Sequence, residues 1–107
     1  MAKLEKTLYE PFDSVLRRVD EAVMKSVSAT LEDSCDWRAE NSRCSVRVYE
    51  RYSWMGGNRV SMSVTVYQAG SGPVRVCAVT SGGSQAMFFK VNTWGEESFL
   101  DTLSSML

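Results

Sequence analysis

Three segments in the middle of the chain carry an apolar residue at every second position. They are residues 44–48, 60–66 and 74–78, and serine, threonine, arginine or cysteine stands between the apolar residues. Because successive side chains of a strand point to opposite faces, each segment predicts a β-strand with one apolar face. Antiparallel strands of this kind form a sheet that buries one face and leaves the other more exposed.

Two further strands are predicted before these three. Residues 3–9 alternate loosely and predict the first strand, and residues 27–33 are assigned to the second. Residues 34–42 are polar and show no period, which is typical of a surface loop. Residues 85–91 are again rich in apolar side chains, and they are compatible with a sixth strand or with a tight crossing.

The register of the first central hairpin follows from which residues would meet across it. A two-residue turn at the Gly-Gly pair would place Val48 opposite Thr65, so that apolar residues would meet polar ones. A three-residue loop at residues 55–57 instead brings Val48 opposite Val64. We predict this second register, in which the valines of both strands share the covered face. The next hairpin, with its loop at residues 69–73, is predicted to pair Val66 with Val76.

Two segments repeat apolar residues at the spacing of an amphipathic helix. The first follows Pro11, whose fixed φ suits the first turn of a helix, and its apolar residues are Phe12, Val15, Leu16, Val19, Ala22 and Val23. The second begins with a capping box at Thr93 and Glu96, and its apolar residues are Phe99, Leu100, Leu103, Met106 and Leu107. Each helix needs an apolar surface, because packing stabilises such helices more than intrinsic propensity does.

The predicted elements follow in the order β-α-β-β-β-β-α within one domain, residues 1–107. Both helices can pack on the apolar face of an antiparallel sheet. We therefore predict a two-layer α+β fold, with an antiparallel sheet of about four to six strands and two helices on one face. In its element order this arrangement resembles helix-grip and TATA-binding-protein-like folds.

Composition and charge exclude several classes of function. The chain has 12 Lys and Arg against 13 Asp and Glu, so no net field draws it to nucleic acid or to an anionic membrane. It has no histidine, which excludes Ser-His and Cys-His nucleophile pairs and histidine metal ligands. No apolar run approaches the roughly 18 residues that span a bilayer, and the charged N-terminal residues do not form a secretory signal. We expect a soluble cytoplasmic protein.

The three cysteines, Cys35, Cys44 and Cys77, point to no particular chemistry. Their odd number excludes a fully paired disulfide framework within one chain. A zinc site built only from thiolates needs a fourth ligand. We expect unpaired thiols in a reducing compartment, with no metal site and no cofactor.

The polar face of the predicted sheet is the first candidate binding surface. Arg47 and Arg51 share one face of their strand, and the predicted register brings Tyr67 and Arg75 alongside. Residues 41–92 contain six basic residues and one acidic residue. Arginine and tyrosine side chains can hold phosphate or stack on a base, but a solvated face or a homodimer interface carries the same residues. Nucleic acid is the least favoured partner, because the stacking motifs of RNA-recognition domains are absent.

Two further candidates lie at the end of the same strand and at its turn. Glu50 and Tyr52 fall on the predicted apolar face, where burial would raise the proton affinity of the carboxyl group. The alternative is that Glu50 meets an arginine or reaches solvent. Trp54, beside the glycines of the turn, could anchor a partner or pack over the sheet edge.

The last candidate is a small-residue segment, Ser81, Gly82, Gly83 and Ser84. Consecutive backbone N–H groups in such a loop can hold a small anion. The segment lacks the lysine and the spacing of a P-loop, so a flexible connection is the alternative.

Three stretches of the chain are distinctive: VYERYSWMGGNRVS at 48–61, TSGGSQAMFF at 80–89 and GEESFL at 95–100. Together they resemble an uncharacterised family of short, single-domain bacterial proteins, known only as a domain of unknown function. The resemblance covers nearly the whole chain. It implies a cytoplasmic bacterial protein and supplies no activity, ligand or catalytic residue.

These observations favour a non-enzymatic binding or interaction module that self-associates, through its open sheet face or the groove between sheet and helices. A homodimer and a small anionic ligand are the expected partners. The alternative is a small-molecule-binding protein or small enzyme, with a pocket between sheet and helices near Glu50 and Ser81–Ser84. No catalytic residue is assigned in either case.

Overall fold

The structure is a computed structural model, and it describes residues 2–25, 28–53 and 58–82. Several predictions fall outside this part of the chain. They are the roles of Trp54, Gly83 and Ser84, the assignment of residues 85–91, and the C-terminal helix that begins at the Thr93 capping box.

The described residues form one helix and five strands. In chain order they are β1 (Ala2–Leu8), α1 (Phe12–Met24), β2 (Ala29–Ala39), β3 (Ser42–Ser53), β4 (Asn58–Ala69) and β5 (Val74–Gly82). The strands make a single five-stranded sheet in the order β1-β5-β4-β3-β2, and every neighbouring pair is antiparallel. The prediction of an α+β fold with an antiparallel sheet is therefore confirmed. The second helix, and with it the helix-grip order, stays a prediction.

Helix α1 connects β1 and β2, which lie at opposite edges of the sheet. Its 13 residues give it a length of about 20 Å at the helical rise. Neighbouring strands are about 4.8 Å apart, so the two edges of this sheet are separated by roughly 19 Å. The helix is thus long enough to carry the chain from one edge to the other.

The core lies between α1 and one face of the sheet, which we call the helix face. The predicted apolar stripe of α1 is confirmed, since Phe12, Val15, Val19, Ala22 and Val23 are all buried and Leu16 is packed against them. On the sheet the core residues are Val60, Met62, Val64 and Val66 of β4 and Val74, Val76 and Ala78 of β5. The β4–β5 hairpin also has the predicted register, with Val66 paired to Val76.

The predicted register of the β3–β4 hairpin is wrong by one residue. Asn58 pairs with Ser53 and not with Trp54, and Val48 consequently pairs with Ser63 instead of Val64. Because a shift of one residue turns every side chain to the other face, the valines of β3 point away from α1. Its arginines and Tyr49 point toward α1 instead.

The polar segment predicted as a loop at residues 34–42 is mostly strand. β2 continues to Ala39 and pairs with β3 around a two-residue turn at Glu40 and Asn41. The pairing contains one irregularity, a bulge between Leu31 and Asp33. A bulge shifts the side-chain alternation by one residue, which explains why β2 shows no regular period in the sequence.

The turn residue Glu40 has a φ of 49°, in the left-handed region that glycine adopts without steric cost. Glu40→Gly is therefore expected to raise the free energy of unfolding by about 0.5–1 kcal/mol, measured by urea denaturation. Glu40→Ala is the control, because it removes the same side chain and keeps the Cβ atom. A Glu40→Gly variant no more stable than Glu40→Ala would contradict this account.

Candidate functional site

The sheet face opposite α1, which we call the outer face, carries most of the described candidates. Its residues on β3, β4 and β5 are Cys44, Val46, Val48, Glu50, Tyr52, Arg59, Ser61, Ser63, Thr65, Tyr67, Arg75, Cys77, Val79 and Ser81, and β2 adds Thr30, Asp33, Cys35 and Trp37. Within the described part of the chain α1 is the one element that lies on the sheet, and it packs on the helix face. Large aromatic side chains stand exposed on the outer face, at 64% for Trp37, 50% for Tyr52 and 42% for Tyr67.

A shallow depression of about 290 Å³ lies on this face over β1, β5 and β4. Its lining residues include Glu5, Thr7, Thr65, Tyr67, Arg75 and Cys77. Tyr67 and Arg75 are direct cross-strand partners, as the sequence predicted. Arg75 is exposed and makes no ion pair with any residue of the described ranges. The depression thus contains a guanidinium group with no ion-pair partner in the described part of the chain, beside an aromatic ring and two threonine hydroxyl groups.

Arg47 and Arg51 do not join Tyr67 and Arg75, contrary to the prediction. They lie on the helix face, opposite Val64 and Val60 of β4. Arg47 donates a hydrogen bond to the Asp20 carboxylate of α1 at 3.4 Å. Arg51 is partly buried, and this burial lowers the pKa of its guanidinium group.

Tyr49, between the two arginines, is fully buried. Its hydroxyl group donates a hydrogen bond to the Asp20 carboxylate at 3.1 Å. Burial, together with the negative charge of Asp20, raises the pKa of Tyr49 well above its ordinary value. Asp20 therefore ties both the phenol and the neighbouring Arg47 to α1.

A second ion pair explains why β3 turns its polar residues toward the helix. Arg43 donates to the Asp13 carboxylate at 3.0 Å, and its guanidinium group lies 4.2 Å from the ring centroid of Phe12. The hydrogen bond and charge of Arg43 hold the pKa of Asp13 below its usual value. Asp13 and Asp20 are two helical turns apart, and they match two arginines four residues apart on β3. This complementary spacing of aspartates and arginines is the sequence signal for the orientation of β3, and the alternation of its valines obscured it.

Glu50 and Tyr52 lie on the outer face and not beneath the helix, which corrects the predicted placement. The Glu50 carboxylate accepts a hydrogen bond from Arg59 at 2.7 Å. This bond and the charge of Glu50 raise the pKa of Arg59. The alternative interpretation, that a glutamate at the end of a strand meets an arginine, is therefore confirmed. Because Glu50 faces away from α1, it does not line a pocket between the sheet and this helix.

Ser81 and Gly82 belong to a strand and not to the predicted loop. Ser81 pairs with Ser61 and Gly82 with Val60 at the end of β5. Gly82 has a φ of 133°, and a Cβ atom there would lie 2.7 Å from the carbonyl oxygen of Arg59. The glycine is therefore required by the close approach of two backbones. An anion-binding loop is not formed by these two residues.

Other site chemistries find no support in the described part of the chain. It contains no group of three or more acidic, cysteine or histidine side chains that could hold a metal ion. Cys35, Cys44 and Cys77 are unpaired. No described helix has the length and apolar character needed to cross a membrane.

Comparison with protein families gives one match that spans the chain. A family model described as a family of unknown function (DUF6054) covers residues 1–107. Among curated proteins, none matches. The resemblance to an uncharacterised single-domain family is thus confirmed, and the match supplies no activity or ligand.

Proposed function

Since the chain belongs to DUF6054, a family of unknown function, we propose its function from the geometry of the outer face. The protein is a non-enzymatic binding module that self-associates, and it takes a small anionic ligand with a flat apolar part at Arg75 and Tyr67. The observation that carries this proposal is an exposed arginine, without an ion-pair partner among the described residues, inside a depression bordered by an aromatic ring.

The residues of the depression offer a ligand two kinds of contact, charged hydrogen bonds and a flat apolar surface. A guanidinium group offers several N–H donors in a plane, and it binds carboxylate or phosphate oxygens in pairs. The hydroxyl groups of Thr7 and Thr65 are further hydrogen-bond partners in the same depression. The exposed ring of Tyr67 offers an apolar surface on which a flat group can lie. Glu5 borders the depression. Its carboxylate disfavours ligands that place negative charge close to β1.

Three arginines elsewhere on the sheet already have a carboxylate partner, which distinguishes Arg75 from them. Arg43 and Arg47 are paired with aspartates of α1, and Arg59 is paired with Glu50. A new anion has to compete with such a carboxylate for the N–H donors of the guanidinium group. Arg75 can bind an anion without breaking an ion pair with a described residue.

Phenyl phosphate is the probe that tests the site, because it combines an anion with a flat ring. We expect Arg75→Gln to weaken its binding about tenfold or more, since a hydrogen bond to a charged group contributes about 1.5–3 kcal/mol. Isothermal titration calorimetry measures the change. Arg17→Gln is the matched control, because it removes an exposed arginine from α1 on the other side of the sheet. Equal affinities for the two variants, or no binding by the wild type at millimolar concentration, would refute the ligand site.

Self-association is tested separately by light scattering after size-exclusion chromatography. The proposal expects a defined oligomer whose mass is a multiple of 12.0 kDa. A mass of one chain across the micromolar range would refute this part of the proposal and leave the ligand site to its own test.

A further inference from the structure

One line of directly paired residues crosses the outer face through all five strands. Trp37 of β2 pairs with Cys44 of β3, and Cys44 pairs in turn with Tyr67 of β4. Tyr67 pairs with Arg75 of β5, which pairs with Thr7 of β1. The depression at Arg75 takes up only the β1–β4 part of this line. At the β2 end a second exposed aromatic ring, that of Trp37, stands on the same face.

The spacing of the strands places Cys44 midway between two exposed aromatic residues. Neighbouring strands are about 4.8 Å apart, so the backbones at Trp37 and Tyr67 are separated by about 10 Å. The short, partly buried side chain of Cys44 leaves room between the two longer ones. Aromatic rings pack favourably when their centroids are about 4.5–7 Å apart. A flat group above Cys44 can therefore contact the rings on both sides of it.

The two ends of the line differ in charge. Arg75 is exposed and has no ion pair with a described residue. The outer-face neighbours of Cys44 are uncharged, since Ser42 and Val46 flank it on β3 and Cys35 lies beside it on β2. A charged group placed there would lose hydration without gaining a partner. The line therefore fits a ligand that is anionic at one end and apolar at the other.

We propose that the ligand of the outer face is an elongated aromatic anion with two linked or fused rings, and that its second ring lies above Cys44 between Tyr67 and Trp37. The inference rests on the anion site of the proposed function and extends that site from β4 to β2. The anionic group binds Arg75 and the first ring lies on Tyr67. Two directly linked rings have nearly the spacing of neighbouring strands, so the second ring follows the line.

Biphenyl-4-yl phosphate is the probe for the second ring, because it adds one ring to phenyl phosphate and keeps the same anion. We expect the wild type to bind it at least about tenfold more tightly than phenyl phosphate, since the added ring buries apolar area and meets two aromatic side chains. Isothermal titration calorimetry measures both dissociation constants. Equal dissociation constants for the two probes would overturn the proposal.

Trp37→Ala tests whether the second ring reaches β2. We expect this variant to bind biphenyl-4-yl phosphate about fivefold or more weakly than the wild type and to bind phenyl phosphate within about twofold of it. Trp37→Phe keeps a ring at the position and is expected to recover most of the loss. A loss confined to phenyl phosphate, or no loss for either probe, would contradict the placement of the second ring.

Tyr52→Ala is the matched control for the loss of an exposed aromatic side chain. Tyr52 is on the same face and on the same strand as Cys44, at the opposite end of β3. We expect this variant to bind both probes as the wild type does. Equal losses in Tyr52→Ala and Trp37→Ala would mean that the probe binds exposed apolar surface without preference for the line, and would overturn the proposal.

Octyl phosphate distinguishes a flat ring from an alkyl tail. It carries the same anion and an apolar chain that can also extend along the line. We expect it to bind at least about fivefold more weakly than biphenyl-4-yl phosphate, because an alkyl chain does not stack on Tyr67 and Trp37. Equal affinities would mean that any apolar tail is accepted, which would overturn the assignment of an aromatic ligand.

The indole N–H group of Trp37 reports the position of the second ring in proton–nitrogen correlation spectra. Its resonance is identified as the one that is missing from the spectrum of Trp37→Phe. We expect saturating biphenyl-4-yl phosphate to shift this resonance, because an aromatic ring beside the indole changes the local magnetic field, and phenyl phosphate to leave it in place. An indole resonance that biphenyl-4-yl phosphate does not move would contradict the proposal.

The outcomes separate this inference from the proposed function. If neither probe binds at millimolar concentration, both the anion site and its extension are overturned. If phenyl phosphate binds and the second ring adds no affinity, the extension alone is overturned. If biphenyl-4-yl phosphate binding depends on Trp37 and not on Arg75, the rings bind without the anion site, which overturns both. Tighter binding that requires both residues supports the extended site.

Discussion

Gly82→Ala is expected to lower the free energy of unfolding by about 1–3 kcal/mol, the range for a residue forced into a backbone conformation that only glycine tolerates. The φ of 133° at Gly82 is strained for any residue with a Cβ atom. The same Cβ atom would meet the backbone carbonyl oxygen of Arg59 at 2.7 Å, closer than van der Waals contact allows. Neither effect can be relieved by turning a side chain, because the close atom belongs to the β4 backbone.

The matched control for this prediction is Gly72→Ala in the β4–β5 loop. A Cβ atom there would lie 3.2 Å from the carbonyl oxygen of Ala69, and no positive φ accompanies it. We expect its free energy of unfolding, measured by urea denaturation, to lie within about 0.5 kcal/mol of the wild type, as for most surface substitutions. Equal midpoints for Gly82→Ala and Gly72→Ala would show that β5 does not approach β4 as described.

Asp20→Ala is expected to destabilise the fold by about 2–3 kcal/mol, because it leaves two groups without their partner. The Arg47 side chain is 20% exposed, and its guanidinium group is paired with the Asp20 carboxylate. The buried Tyr49 hydroxyl group also loses its acceptor. Asp20 itself is 43% exposed, so water offsets part of the loss and keeps the effect below that of a fully buried pair.

A double variant distinguishes the ion pair from a simple loss of helix stability. Replacing both partners with apolar groups removes the unpaired charge, so Asp20→Ala/Arg47→Met is expected to recover at least about 1 kcal/mol of the loss. Glu21→Ala is the control for helix propensity, since Glu21 is the exposed neighbour of Asp20 on α1. A double variant less stable than Asp20→Ala would contradict the pairing. Thermal or urea unfolding at neutral pH measures all three variants.

Periodicity was sufficient to predict α1, β4 and β5, because their apolar residues all face one core. The β4–β5 register was predictable for the same reason, since valine meets valine across that hairpin. For β3 the apolar alternation predicted the wrong face. Its helix-facing residues alternate between arginine and small or aromatic side chains that α1 receives with two aspartates. The ion pairs between β3 and α1 determine which face of β3 lies toward the helix. The alternation within β3 contains no information about these pairs.

The candidate site residues were placed correctly where the hairpin register was predicted correctly. Tyr67 and Arg75 are neighbours across the correctly predicted hairpin, and they are found together. Arg47 and Arg51 were assigned through the other hairpin, and the shift by one residue moved them to the opposite face. The second strand was predicted only at residues 27–33, and residues 34–39 of β2 were predicted as a loop because a bulge interrupts the alternation. The exposed side chains of β2 also give no apolar face by which a strand could be recognised.

The pairing of β1 with β5 sets the order in which the molecule can assemble. Successive hairpins join β2, β3, β4 and β5. Each strand after β2 can therefore pair with the strand that precedes it in the chain. Ala2, in contrast, pairs with Thr80, and closing so long a loop carries a large entropic cost that slows folding. β1 therefore stays without this partner until β5, the last described strand, has been made. Until β1 pairs with it, β5 is an open edge rich in valine, which favours aggregation.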